Sequence, residues 1–384
     1  MEKKIFEKIY IAGVALILLL PVLTINRDPD AISEKENRPL TGLPKIIRDG
    51  SINKNLPTDI ESYLDDRIGF RDLLISANAL LQYHVFGRME DGTRYRLGPD
   101  GEFNIVENDM VETYQHANLF SDEELAEITS DFKSISDGLK TKDCEFYYMQ
   151  CWDKQSIYPE YFPDSVLQYG DISRTDQVLT SLAENTDVNV IPLKDKFISE
   201  KPNYEVYSKY GDPVHWTPRG ALIGYAETMN AINEGRDEPF KVLTDDDFNI
   251  TMTDQGMSFY GGVKRSNISE SFERKETHAV MNEDYDEEHE AFDGYRTYHF
   301  TNENAGNDTK VLIICNSFIV NYLKEDFAES FGDTLVVWHD VNKKLPAWIE
   351  DYNPDIVIYE MVERYVEYKQ LHKAGKAMRK AYDK

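Results

Sequence analysis

The pattern of apolar and polar positions changes period several times along the chain. Residues 9–25 form an unbroken run without a charged side chain. Its length is at the short end for a helix crossing a hydrocarbon core of about 30 Å, and it also suits the core of a signal peptide. A polar, Pro-rich stretch follows, including Arg38-Pro39-Leu40-Thr41-Gly42-Leu43-Pro44, and predicts a stem as far as Pro57. From Thr58 to about Phe86, Ile60, Leu64, Ile68, Leu73, Leu74, Ala77, Leu80 and Leu81 recur at helical spacing. They predict one long amphipathic helix, or two separated by Gly69. Ser121 and Glu124 have the spacing of a capping box, so a helix is expected from Asp122 to about Leu139.

Beyond that helix the period shortens. Residues 144–149, 188–191, 311–314, 334–337 and 355–359 are short apolar runs bounded by polar or turn residues, the pattern of buried parallel strands. Helical patterns at 175–184, 218–233, 318–327 and 345–352 separate most of them. This alternation predicts an α/β sheet covered on both faces. Residues 237–306 are acidic and polar with few clear periods, and predict long loops with a minor β-element. The expected division is an anchor or signal sequence over 1–26, a stem over 27–57 and one domain over 58–384.

The 384 residues, 41% of them hydrophobic, suffice for a sizeable core. A formal charge of −28, spread along the chain, repels anionic surfaces. It argues against nucleic acid, which is held by clustered Lys and Arg. Lys3, Lys4 and Lys8 precede the apolar run, and the stretch from Pro21 to Asn26 offers no small-x-small cleavage site. An uncleaved single-pass anchor in the cell membrane is the expectation, with everything from Arg27 onward extracytoplasmic by the positive-inside rule. Cys144, Cys151 and Cys315 are odd in number and lie in apolar stretches, which predicts buried free thiols.

Two segments carry candidate chemistry. In Lys310 to Phe318 an apolar strand runs into Asn316-Ser317 and a helix start. A serine there sits at the carboxyl end of a parallel strand, where α/β sheets bind ligands. The alternative is a serine that only caps the helix. In Tyr210 to Ala221, Asp212 precedes His215 by three residues on a turn fixed by Pro213 and leading into a helix opened by Pro218. That spacing lets a carboxylate orient an imidazole as general base. Its alternative is a turn with a surface histidine. The other histidines, His84, His116, His278, His289, His299, His339 and His372, lack metal-ligand spacing, and no phosphate-binding glycine loop occurs. No metal or other cofactor is expected.

With these residues in place, the chain resembles the AlgJ/AlgX-like (DHHW) group of SGNH proteins, related to alginate O-acetyltransferases. The resemblance rests on Glu36-Asn37-Arg38-Pro39-Leu40, on Tyr63 through Arg71, on Leu97-Gly98-Pro99-Asp100-Gly101-Glu102-Phe103 and on Lys154 through Glu160. It continues in Asp212 with His215-Trp216-Thr217-Pro218, then Asn316-Ser317-Phe318, then Pro354 through Ile358 with Glu363-Arg364. Asp-x-x-His before Ser is the reverse of the usual SGNH order, as in a circular permutation. Two departures stand out. Cys315-Asn316 replaces the family's Gly-Asp before the serine, and Asp212-Pro213-Val214-His215 replaces Asp-x-His.

The resemblance implies an SGNH-like three-layer α/β fold with a mainly parallel sheet, plus one N-terminal transmembrane helix. It implies O-acetyl transfer to a polysaccharide or cell-envelope glycan, with Ser317 as nucleophile, His215 as base and Asp212 orienting it. A multi-pass membrane O-acyltransferase is the implied acetyl donor. The same triad could serve an acetylesterase, and a non-catalytic glycan-binding scaffold is the third reading. Asn316, Gly261 and Gly262 are candidate oxyanion donors beside the Ser317 N–H. Lys154 and Arg364 are candidates to contact an anionic glycan or a neighbouring protein, set against a structural ion pair for each.

Overall fold

The computed structural model describes residues 2–33, 38–48, 50–89, 91–259, 262–338, 341–365 and 368–382. Of the sequence features above, Glu36, Asn37, Gly261 and His339 lie outside them. The chain divides into two compact units, residues 1–90 with 258–263 and residues 91–257 with 264–384.

In the first unit the apolar run becomes the helix Glu2–Leu23. Within it Lys4–Leu23 is long and apolar enough to cross a membrane, with mean hydropathy 2.1. The following amphipathic segment is two helices, Leu56–Arg67 and Arg71–Phe86. They part at Ile68-Gly69-Phe70, where Phe70 takes φ 61°. The break lies against the end of the apolar helix. The Gly69 N–H donates to the Pro21 carbonyl at 2.9 Å, and the Asn26 N–H to the Arg67 carbonyl at 2.8 Å. A Cβ on Gly69 would stand 1.9 Å from Thr24 Oγ1, so only glycine fits. Arg67, 2% exposed, donates to the carbonyls of Thr41 at 2.6 Å, Asn26 at 3.3 Å and Asp28. Asp66 accepts both Arg38 Nη groups at 2.8 Å. That guanidinium holds its carboxyl well below the usual carboxylate range. Residues 26–28 and 38–41 are therefore pinned through partly buried charge-assisted hydrogen bonds.

The second unit is built on a seven-stranded sheet. Its strands are β1 (Glu145–Cys151), β2 (Asn189–Val190), β3 (Val280–Asn282), β4 (Arg296–Thr301), β5 (Lys310–Cys315), β6 (Asp333–Trp338) and β7 (Ile356–Val362). The order across the sheet is β3-β4-β6-β5-β7-β1-β2. β6, β5, β7, β1 and β2 run parallel, while β4 is antiparallel to β3 and β6. All five apolar runs are strands of the parallel part.

Alternation along the strands explains the three layers. Val311, Ile313 and Cys315 face one core with Met149, Ile358, Phe197, Tyr225 and Phe327. Leu312 and Ile314 face the other with Tyr148, Tyr359, Phe132, Leu182 and Trp348. Strand segments buried on both faces are largely apolar, which is why they were legible as continuous runs.

The helices Pro218–Asn233 and Leu345–Tyr352 have the expected bounds, and the Ser121 capping box opens Asp122–Lys140. The helix expected over 318–327 is instead two short ones, Ser317–Val320 and Lys324–Ser330. Residues 237–306 hold more strand than the minor element expected. Besides β3 and β4, Phe248–Asp254 pairs antiparallel with Ile268–Arg274. Both strands are largely exposed or half-buried, so no apolar pattern marks them. Because β6 follows β5 on one side and β7 lies on the other, the carboxyl end of β5 is a topological switch point, where a crevice opens.

Candidate active site

Ser317 stands at that switch point, two residues beyond β5. Asn316 ends the strand in extended backbone, and its Oδ1 accepts the Phe318 N–H at 3.0 Å to cap the short helix. Its own N–H donates to Glu360 Oε2 on β7 at 2.8 Å, which fixes the turn from below. The backbone at Cys315 is not left-handed, so the position makes no demand for glycine. Burial pushes the Cys315 and Cys151 thiols far above their usual range, which makes them packing groups.

His215 arrives from the loop before Pro218–Asn233. The Thr217 Oγ1 caps that helix by accepting the Gly220 N–H at 3.0 Å, and Pro218 sits in the first turn, where it is preorganised. Trp216, 1% exposed, packs edge-on against Phe197 and Phe318. With Trp216 turned inward, its neighbour His215 faces the serine. A Cβ on Gly220 would meet the Val206 carbonyl at 2.3 Å, so glycine lets the helix close on this loop.

The three residues singled out in sequence meet. His215 Nε2 lies 2.8 Å from Ser317 Oγ, and His215 Nδ1 lies 2.8 Å from Asp212 Oδ2. The other Asp212 oxygen accepts the N–H groups of Val214 at 2.7 Å and His215 at 3.3 Å. Burial works to raise the Asp212 carboxyl, but its bonds to the His215 ring and these two N–H groups prevail and hold it below its ordinary value. A carboxylate so held keeps one imidazole tautomer, leaving Nε2 to take the serine proton.

Arg364 and Lys154 are buried. Arg364 follows β7 and donates to Asp153 Oδ1 at 2.6 Å, both side chains being 2% exposed. Its other arm donates to the Val214 carbonyl at 3.2 Å, and its guanidinium lies 5.6 Å from the Phe318 ring centre. Lys154 Nζ donates to the Phe103 carbonyl at 2.6 Å, and burial lowers its amine to about 7. Neither residue presents its charge to solvent. Asn316 Nδ2 is buried without a hydrogen-bond partner among the described residues. Gly262 belongs to the first unit and has φ 74°.

Sequence reasoning passed over Asp153, Glu360 and Tyr322. Tyr322 lies with its ring 5.8 Å from that of His215. Asp153 and Glu360 stand in or just beyond strands, and no local spacing marks them. Among the described residues no group of three or more His, Cys, Asp or Glu side chains gathers as metal ligands.

No protein-family model matches the chain, and no curated protein matches its sequence. Among solved structures, Bacillus cereus PatB1 with a sulfonyl adduct is similar at a TM-score of 0.54 and 18% identity, over 73% of this chain and 98% of that one. A DHHW family protein from Eubacterium siraeum gives 0.47 and 13%, over 73% and 93%. The O-acetyltransferase domain of Pseudomonas putida AlgJ gives 0.44 and 12%, over 71% and 91%. The chain thus has an SGNH-like α/β fold on a mostly parallel sheet, a fold it shares with PatB1.

Proposed function

We propose that this chain is an extracytoplasmic, serine-dependent O-acetyltransferase that passes an acetyl group to a hydroxyl of a polysaccharide or cell-envelope glycan through acetyl-Ser317. The Asp212–His215–Ser317 array carries the reading, with two 2.8 Å links at the mouth of the sheet's switch point. His215 takes the Ser317 proton as Oγ attacks the donor carbonyl, and returns it to the leaving group. Asp212 steadies the imidazolium. The Ser317 N–H is the first oxyanion donor, and the unpartnered Asn316 Nδ2 is available as the second. Acetyl and glycan come from the family resemblance. So does the donor, a multi-pass membrane O-acyltransferase.

The apolar helix serves as a retained anchor in this reading. Its end is bound by Gly69 and Arg67 of the first unit, contacts that a cleaved signal peptide would forfeit.

The test is intact mass of the full-length chain in detergent after exposure to p-nitrophenyl acetate. One added acetyl group at Ser317, absent in Ser317→Ala and His215→Ala, is expected. Asp212→Asn should slow acetylation by roughly 10³ to 10⁴-fold, since the wrong tautomer is then held. A sulfonyl fluoride should also label Ser317. Labelling equal in wild type and Ser317→Ala would remove the reading. Discharge of acetyl-Ser317 to water, unaffected by glycans, would favour an acetylesterase.

A further inference from the structure

Beside the triad lies a cavity of about 350 Å³ that the acylation step does not use. Its walls come from the start of Pro218–Asn233, from the hairpin of Phe248–Asp254 with Ile268–Arg274, and from Asn321, Tyr322 and Asp326 just after the serine helix. We propose that this cavity seats the acceptor as one neutral hexopyranosyl unit, a proposal that rests on the acetyl-Ser317 reading.

Position supports it first. In the second half-reaction the sugar hydroxyl attacks the carbonyl carbon of acetyl-Ser317. A bond from sugar oxygen to that carbon forms, the bond from carbon to Ser317 Oγ breaks, and the proton passes from the hydroxyl to His215 and on to Ser317 Oγ. The acceptor must therefore sit on the His215 side. Tyr322 joins the two places, since its ring lines the cavity and stands 5.8 Å from the imidazole. Asn321 and Tyr322 directly follow the short helix that Ser317 opens, and the Asn321 N–H donates to the Ser317 carbonyl at 3.1 Å.

The lining matches the ligand class. A pyranose has an apolar C–H face and a rim of hydroxyls. The cavity offers the aromatic rings of Tyr322, Phe248 and Phe272, and polar groups from Asn321, Ser271 and the Arg274–Asp326 pair. Its size is at the lower end for small-molecule pockets, enough for a unit of a chain rather than a long segment. The charge favours a neutral sugar. Arg274 is bound to Asp326 Oδ1 at 2.7 Å and 2.9 Å, so its charge is matched and no net cation is left for a uronate or phosphate. The chain's net charge of −28 repels polyanions as well.

The test uses the full-length chain in detergent, acetylated with p-nitrophenyl acetate, then mixed with cellopentaose, mannopentaose or trigalacturonate. Acetylation of Ser317 and its discharge are timed separately, for wild type, for Ser271→Trp, which fills the cavity from the hairpin, and for Asn321→Ala. A neutral oligosaccharide should speed discharge. The ratio of discharge rate to acetylation rate should fall at least tenfold in Ser271→Trp and severalfold in the milder Asn321→Ala. The proposal is overturned if acceleration survives both substitutions, if trigalacturonate accelerates as well, or if no neutral oligosaccharide outpaces water. A wild type that never acetylates fails before any acceptor is added, which identifies the acetyl-serine reading as the fault and takes the proposal with it.

Discussion

Arg364 reaches from the end of β7 to the carbonyl of Val214, the residue directly before His215, while its other arm is held by Asp153 beyond β1. Two sheet strands thus set the position of the residue before His215. Arg364→Lys keeps the charge but loses the planar fork. Small displacements of a base are costly, so the expected result is a kcat for p-nitrophenyl acetate lower by about 10 to 100-fold, with KM nearly unchanged. Arg364→Ala leaves Asp153 as a buried unpaired charge and should destabilise the fold by about 3–5 kcal/mol, read by urea denaturation.

Asn316 stands where the resembled family has aspartate, and here it lies against Glu360. That side chain, 0% exposed, accepts the Asn316 N–H. Asn316→Asp would put a second carboxylate beside it, and like charges at such range disfavour both ionised forms. Asn316→Asp should lower both Tm and the rate of Ser317 acetylation. Adding Glu360→Gln should restore part of each, with a coupling of about 1 kcal/mol or more in a double-mutant cycle. Strict additivity would show that the two sites do not interact.

Lys154 yields a pH dependence with a definite sign. Burial lowers its amine to about 7 in the folded chain, from 10.5, while the charges of Glu102, Glu205 and Asp212 work to raise it. Between those values the unfolded chain binds more protons, so the contribution of Lys154 to stability grows as pH rises from about 7 to about 10.5. Wild type should gain on Lys154→Met by on the order of 3 kcal/mol between pH 7 and pH 10. Urea denaturation of both proteins at the two pH values gives the difference, in which other titrating groups cancel.

Gly69 and the retained anchor make a linked pair of expectations. The membrane-bound protein should have an intact mass that includes residues 1–25. Gly69→Val drives a side chain into the Thr24 side chain and the Thr24 carbonyl. Limited proteolysis should then open the stretch between Arg27 and Arg71 at least tenfold faster than in wild type, with p-nitrophenyl acetate turnover unchanged. Equal proteolysis would mean that the Gly69 contact does not hold the stem.

Local physics made much of the molecule legible in sequence. Strand segments buried on both faces are largely apolar, so the parallel strands appeared as runs, with Gln150 on β1 and Glu360 on β7 as buried polar exceptions. Capping needs Ser121 with Glu124, and Pro218 suits a first helical turn, so two helix starts were written in place. Asp212 and His215 are three residues apart on one turn, and their pairing needs no distant part of the chain. Where partners are remote, the sequence was silent. β3 and β4 draw their place from an edge pairing and have no apolar stripe. Lys154 and Arg364 carry charges that would suit a surface, yet distant backbone carbonyls and Asp153 draw them inside. The separation of 102 positions from His215 to Ser317 is closed by the sheet and the helix Pro218–Asn233. Residue identity and short spacing thus determined which chemistry the chain could perform. The tertiary structure alone decided that Ser317 and His215 meet, because a hydrogen bond is made within about 3 Å and spacing along a chain does not set that distance.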